Sequence, residues 1–302
     1  AVAYKNTGLG GGAPDKAEAS VEAWRDSARG IVAEVRISSA EMGQGLPGVL
    51  AACAAEDLGT AIDNVSVLLG DTVFCPDGGP TTASRQTFVS GNAVRFAARE
   101  ALQRLSSEPG EKVHVSYTYE APQTQPLGTG GDMHVAFSFC AQAALCEIDM
   151  RTGEVGVHKV IAAHDVGRAI NPLTLQGQIE GGIVMGVGQA LTEHYIQEDG
   201  KPWTTVLARY KTPSIEHAPA ITSFVVEHAT EAGPFGAKGV GELPSIPVSP
   251  AITNAIHRAT GVRVRSLPVD QDELLRAIED SAGEVQLAWG DRGPIPAIGG
   301  GA

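Results

Sequence analysis

Residues Ala136-Phe137-Ser138-Phe139-Cys140-Ala141-Gln142-Ala143-Ala144-Leu145-Cys146-Glu147-Ile148 form one long run of strand character. Arg151-Thr152-Gly153 follows as a turn, and a second such run extends from Gly156 to Val166. A connection that short predicts an antiparallel hairpin. In a doubly wound sheet, helices and strands would alternate strictly instead. Working outward, further strands are expected at Ile31 to Ser39, Val65 to Leu69, Val113 to Tyr119, Ile221 to Ala229 and Val262 to Val269. Helices are expected at Leu46 to Leu58, Ser90 to Leu105, Asn171 to about Glu193, Ser249 to Ala259 and Gln271 to Glu279. Val94, Ala97, Ala101 and Leu105 repeat at helical spacing and make the second helix the clearest. Ahead of all these lies a turn-rich opening, Gly8-Leu9-Gly10-Gly11-Gly12-Ala13-Pro14. The order implies an α+β class: one region over 1–280, built of two mixed α/β subdomains meeting near 107–112. A loose tail rich in Gly and Pro is expected over 281–302.

Composition removes several function classes. Of 302 residues, 35 are acidic and 22 basic, for a net charge of −13. Nucleic acid demands basic patches against phosphate, so it is not an expected partner. No run of 18 apolar residues suggests a membrane span. The N-terminus has no signal-peptide core and no initiator Met, so the chain is expected to be processed, trimmed or the latter part of something larger. Cys53, Cys75, Cys140 and Cys146 contain no C-x-x-C pair, and Cys140 and Cys146 share one strand parity. They read as buried free thiols in a reducing cytoplasm. The histidines include no i, i+4 pair of the kind that binds metal.

Four glycine-bearing clusters stand out. Gly236-Ala237-Lys238-Gly239-Val240-Gly241-Glu242-Leu243-Pro244 sets one carboxylate among three glycines, as an acid or base aimed at a bound ligand or as a first-turn helix residue. Glu41-Met42-Gly43-Gln44-Gly45 joins a strand to a helix, where backbone N–H groups attract an anion or oxo group. Thr81-Thr82-Ala83-Ser84-Arg85-Gln86-Thr87 gathers hydroxyls and amides around an Arg suited to phosphate. Gln176-Gly177-Gln178-Ile179-Glu180-Gly181-Gly182, continuing to Gly186-Val187-Gly188, places five glycines in a helical pattern at a cost of about 1 kcal/mol each. Close helix packing and close approach to a ligand would each explain them.

Together with Asp165-Val166-Gly167-Arg168-Ala169-Ile170-Asn171-Pro172, these clusters resemble, in this order, the molybdenum hydroxylases of the xanthine dehydrogenase and aldehyde oxidase family. The resemblance runs from about Tyr4 to Ile278 and concerns the C-terminal half of the molybdopterin-binding subunit. It implies a fold like that subunit's second molybdopterin-binding domain. The motifs of the first half, and the cysteine patterns for iron–sulfur clusters, are not found in the chain. The resemblance therefore implies a companion first-half chain, 2Fe-2S and FAD groups on partner chains, and a molybdenum–molybdopterin cofactor, with the cytosine dinucleotide among its forms. It implies that molybdenum is held by the pterin dithiolene, with no protein metal ligand. Glu242 matches the family's glutamate, the base that deprotonates the attacking oxygen. Gln44, between Gly43 and Gly45, matches the glutamine near an oxo ligand. Thr82, Ala83, Ser84, Arg85 and Gln86 fall in one matching segment that cradles the pterin and its phosphates. Gln178, Ile179, Glu180 and Gly181 form another, and Lys238, Gly239, Val240 and Gly241 a third. The implied activity is hydroxylation of an aldehyde or N-heterocycle with oxygen from water. A non-catalytic scaffold half-subunit and a reductive aryl-thioester dehydroxylase of the same family are the alternatives.

Overall fold

A computed structural model describes residues 1–281 of the chain. Its strands are β1 (Val2–Thr7), β2 (Lys16–Asp26), β3 (Gly30–Ile37), β4 (Val65–Leu69), β5 (Lys112–Glu120), β6 (Ala136–Ile148), β7 (Val155–Asp165), β8 (Gln197–Glu198), β9 (Lys201–Pro202) and β10 (Ala220–Val226). Its helices are α1 (Leu46–Leu58), α2 (Gln86–Arg104), α3 (Pro172–Leu191), α4 (Leu207–Tyr210), α5 (Val248–Thr260) and α6 (Gln271–Ser281).

Two four-stranded mixed sheets organise the chain, in the orders β4-β3-β2-β5 and β1-β6-β7-β10. The hairpin expected from 136–166 is present, with β6 antiparallel to β7; β10 then joins β7 in parallel. Helices α1 and α2 cover the first sheet around Val21, Val35, Ile37, Leu50, Phe88 and Val94. Pro47 starts α1, where a missing N–H costs nothing, and Gly59 ends it in the left-handed region at φ 66. The second core joins Val160 and Ala162 of β7 to Ile179 and Ile183 of α3 and Ile252 and Ile256 of α5.

The structure corrects the expected order in several places. The turn-rich opening is flanked by two strands, β1 and β2, and β2 is a central strand of the first sheet. Its inward residues Ala17, Ala19, Val21 and Ala23 are buried but small, so they give a weak apolar signal. Residues 262–269 form no strand: Val262 and Val264 lie against the second core in an irregular segment. The chain does not change unit at 107–112, because β5 still pairs with β2; the passage falls at 121–135. β1 belongs to the second sheet, so the chain starts in one unit, builds the other and returns. Residues 282–302 of the expected tail lie outside the described residues.

Three of the α3 glycines are explained by packing. A Cβ on Gly182 would stand 2.7 Å from Pro244, one on Gly186 2.5 Å from Val248, and one on Gly188 2.5 Å from Pro213. Gly177 and Gly181 face open space instead. No helix among the described residues is long and apolar enough to cross a membrane.

Candidate active site at the meeting of four loops

The loop carrying Glu242 is held from three sides. Gly239 donates its N–H to Thr7 Oγ1 of β1 at 2.9 Å, and Ser138 Oγ of β6 donates to the Gly239 carbonyl at 2.8 Å. Lys238 N–H bonds the Val166 carbonyl at 2.9 Å, and its buried ammonium meets Asp165 Oδ2 at 2.6 Å. From the other unit, Ser84 presses so close that a Cβ on Gly239 would lie 2.0 Å from the Ser84 carbonyl oxygen. Only glycine permits that approach.

These contacts present Glu242 at the edge of an open cleft of about 390 Å³. Ser84 Oγ donates to Glu242 Oε2 at 2.8 Å and accepts the Glu242 N–H at 3.2 Å. Lys5 Nζ stands 3.1 Å from the same Oε2. The Glu242 side chain is 51% exposed, that of Lys5 only 18%. Glu242 stands before a three-residue turn of 3-10 helix, not within a helix's first turn, and makes no capping bond to it. Ala83 and Ser84 adopt φ of 49 and 52, two consecutive left-handed residues that are not glycine. Such strain costs roughly 1–2 kcal/mol per residue. Here it is held in place by the Gly8 N–H on the Ala83 carbonyl at 3.0 Å and by the packing of Gly239.

The cleft gathers most of the expected residues: Gln44; Thr82 to Gln86; Gln178; and Lys238 to Glu242. It does not gather Gly43, Gly45, Ile179, Glu180 or Gly181. Ile179 is buried in the second core, and Glu180 accepts a bond from Gln176. Three side chains have other tasks than those expected. Arg85 is 1% exposed and donates to Asp15 Oδ1 at 2.6 Å and to the Gly78, Pro80 and Lys16 carbonyls. It pins the 78–85 loop to β2 and is not free to take a phosphate. Gln86, also buried, accepts from Ser39 and Ser90 and donates to Pro80 and Thr81. The N–H groups at the start of α1 do not await an anion. Glu41 accepts those of Gly43, Gly45 and Leu46 at 2.7, 3.0 and 2.7 Å. Gln44 lines the cleft, with its amide turned onto Met42 N–H and the Ala40 carbonyl. The sequence reading missed Lys5 as a site residue, since nothing near it in the chain marks a strand directed at Glu242. It also gave no role to Arg168, whose exposed guanidinium lines the cleft and meets Glu227 at 3.3 Å.

A family model for the molybdopterin cofactor-binding domain matches residues 1–117 and 107–219. The chain belongs to that family. A probable xanthine dehydrogenase subunit from Bacillus subtilis is 29% identical over 274 residues, covering 79% of this chain and 36% of its own length. The gamma subunit of the 6-hydroxypseudooxynicotine dehydrogenase complex of Paenarthrobacter nicotinovorans is 33% identical over 281 residues, covering 80% of this chain and 35% of its own. The crystal structure of the aldehyde oxidoreductase from Desulfovibrio desulfuricans superposes with a TM-score of 0.83 at 31% identity, over 92% of this chain and 32% of that one. The chain therefore spans about a third of the length of the relatives it matches.

The donor set suits a molybdopterin. Among the described residues, the backbone N–H groups of Thr82, Ala83, Ser84, Val240 and Gly241 have no protein acceptor, and all five residues line the cleft. Successive free N–H groups in left-handed backbone form an anion-binding concavity. Thr82, Gln178 and Arg168, the last also paired with Glu227, line the same cleft and carry donor groups. No group of three His, Cys, Asp or Glu side chains among the described residues is placed to hold a metal ion.

Proposed function

We propose that this chain is the second molybdopterin-binding part of a molybdenum hydroxylase acting on an aldehyde or an N-heterocycle, with water as the oxygen source. The observation that carries the reading is the convergence of the Glu242 carboxylate and the free N–H groups of 82–84 and 240–241 on one cleft. Bound molybdenum–molybdopterin would supply the Lewis acid that acidifies water and the acceptor for the two electrons leaving the substrate carbon. The N–H groups of 82–84 and 240–241 and the Arg168 guanidinium would hold the pterin and its phosphate, in the cytosine dinucleotide form. Gln44 and Met42 line the cleft beside them.

Glu242 is the proton acceptor. Its Oε2 is occupied by Ser84 and Lys5, and Oε1 remains to take the proton from the attacking oxygen. Lys5 sets a positive charge 3.1 Å from Oε2, on the side of the carboxylate away from that proton. Onward electron transfer falls to 2Fe-2S and FAD groups on partner chains, and a companion first-half polypeptide completes the substrate pocket.

Glu242→Gln tests the reading. It keeps the shape and removes the base. The expected result, in the complete enzyme, is unchanged molybdenum content and a loss of kcat of about 10²–10⁴ fold, the usual contribution of a positioned base. Turnover equal to the parent enzyme would remove Glu242 from the mechanism.

A further inference from the structure

Strand β6 changes character along its inward side. Ala144, Cys146 and Ile148 pack against the second core, as strand residues under helices should. Ser138, Cys140 and Gln142, the inward residues before them, are more deeply buried yet carry hydrogen-bonding groups. Each directs its group at a carbonyl of the Glu242 loop. Ser138 Oγ donates to Gly239 at 2.8 Å and Gln142 Nε2 to Pro244 at 2.8 Å, while Cys140 Sγ lies 3.9 Å from the Leu243 oxygen. These carbonyls stand on both sides of Glu242. Ser84 and Lys5 hold the end of the Glu242 side chain; β6 holds the backbone that carries it.

Stability alone does not account for the Gln142 amide. The residue is 4% exposed, and its Oε1 has no partner among the described residues. His164 of β7, fully buried, sets Nε2 3.4 Å from the Gln142 Nε2 and has no partner for its own Nδ1 among the described residues. An amide nitrogen only donates, so the imidazole accepts at Nε2 and carries its proton on Nδ1. Each unpaired buried atom bears its full desolvation penalty. A leucine at 142 would avoid one of these penalties and continue the apolar half of the strand. The gain from the amide is the bond to Pro244. Pro244 is also pinned from α3, because it fills the space that a Cβ on Gly182 would need, at 2.7 Å. The turn after Glu242 is thus held by shape on one side and by hydrogen bonding on the other.

We infer that Gln142 is a positioning residue for Glu242. With Ser138, it fixes the loop backbone so that the carboxylate faces the cleft, and His164 orients its amide. The inference rests on the proposed role of Glu242 as proton acceptor. It adds a residue that neither lines the cleft nor touches the carboxylate.

Gln142→Leu in the complete enzyme tests it. The change removes the donor at nearly constant volume and takes the orphaned oxygen with it, so the chain should still fold. The expected result is a fall in kcat of about tenfold, short of the roughly hundredfold that an ångström of misplacement can cost. KM, molybdenum content and unfolding temperature should stay close to the parent's. Amide exchange over residues 239–246 should quicken by about tenfold, in keeping with one lost hydrogen bond, and stay unchanged elsewhere. In a Glu242→Gln background the same change should cost nothing further in rate, because a residue acting through Glu242 then has nothing to position. Parent kcat in Gln142→Leu, an equal loss in both backgrounds, or unchanged exchange would overturn the inference. Should Gln142→Leu fail to assemble, Ser138→Ala is read by the same three outcomes through its bond to Gly239. Parent turnover in Glu242→Gln alone would remove the base, a failure distinct from any of these, and the exchange rates would still decide whether Gln142 holds the loop.

Discussion

Glu242 is gripped by one oxygen only, and the grip comes from residues remote in sequence. Lys5 and Ser84 meet at Oε2 although one lies on β1 and the other on the loop before α2, far apart in the chain. Lys5→Met removes the charged partner and leaves the Ser84 bond. An ion pair on a half-exposed carboxylate is worth up to about 1 kcal/mol, so kcat should fall by up to about fivefold. KM should change little, and Lys5→Arg should restore most of the rate; steady-state kinetics on the three forms checks this. A fall in substrate affinity alone would place Lys5 elsewhere in the mechanism. Arg85 shows the limit of reading residues from their neighbours. Beside Thr82 and Ser84 it reads as a phosphate ligand, yet its partner is Asp15, on a segment that the sequence marks only as a turn. The glycine–glutamate loop was legible because its glycines and carboxylate are contiguous in the chain. The partners of that loop were not, because they are brought by the fold.

The helix α3 carries two kinds of glycine, and the distinction sorts packing from openness. Gly182→Ala would drive a methyl to 2.7 Å from Pro244, two residues beyond Glu242, and overpacking of this sort costs typically 1–3 kcal/mol. Gly177→Ala meets nothing within 4 Å and should stabilise by up to about 1 kcal/mol through helix propensity. Thermal unfolding of the two variants should move in opposite directions. On β7, burial pushes the His164 imidazole down from 6.5 to about 4. The unfolded chain takes up that proton below about pH 6.5, so the contribution is whole above that pH and is lost as pH falls towards 4. The loss is on the order of 3 kcal/mol. Unfolding measured from pH 7.5 to 4.5 should show this slope, and His164→Gln should flatten it. Burial likewise lifts the Cys53 thiol to about 12 and those of Cys140 and Cys146 to about 11; of the four thiols expected to be buried, Cys53 and Cys140 are, while Cys75 and Cys146 are half-buried. Helices α1, α2, α3 and α5 were legible from periodicity and caps. Strand β2 was not, because an alanine-lined strand under two helices carries little hydrophobic contrast.

At the scale of the molecule, the chain leaves one sheet after β1, builds the other, and returns through β6. That path brings 82–86 from the first unit against 238–242 from the second, with β1 behind both. The antiparallel hairpin at 136–166 announced a mixed architecture, but nothing local revealed that residues 2–7 would close the second sheet. The same path leaves the cleft open, in agreement with a chain spanning a third of its relatives. The central claim is that this cleft holds a molybdenum–molybdopterin. The most direct measurement is metal and pterin analysis of the complete enzyme purified gently from its own host, with the chain quantified in the same sample. Molybdenum and pterin in equal amounts to the chain, with iron on companion polypeptides, is the predicted result. A folded, fully assembled chain with neither molybdenum nor pterin, after growth in ample molybdate, would contradict it.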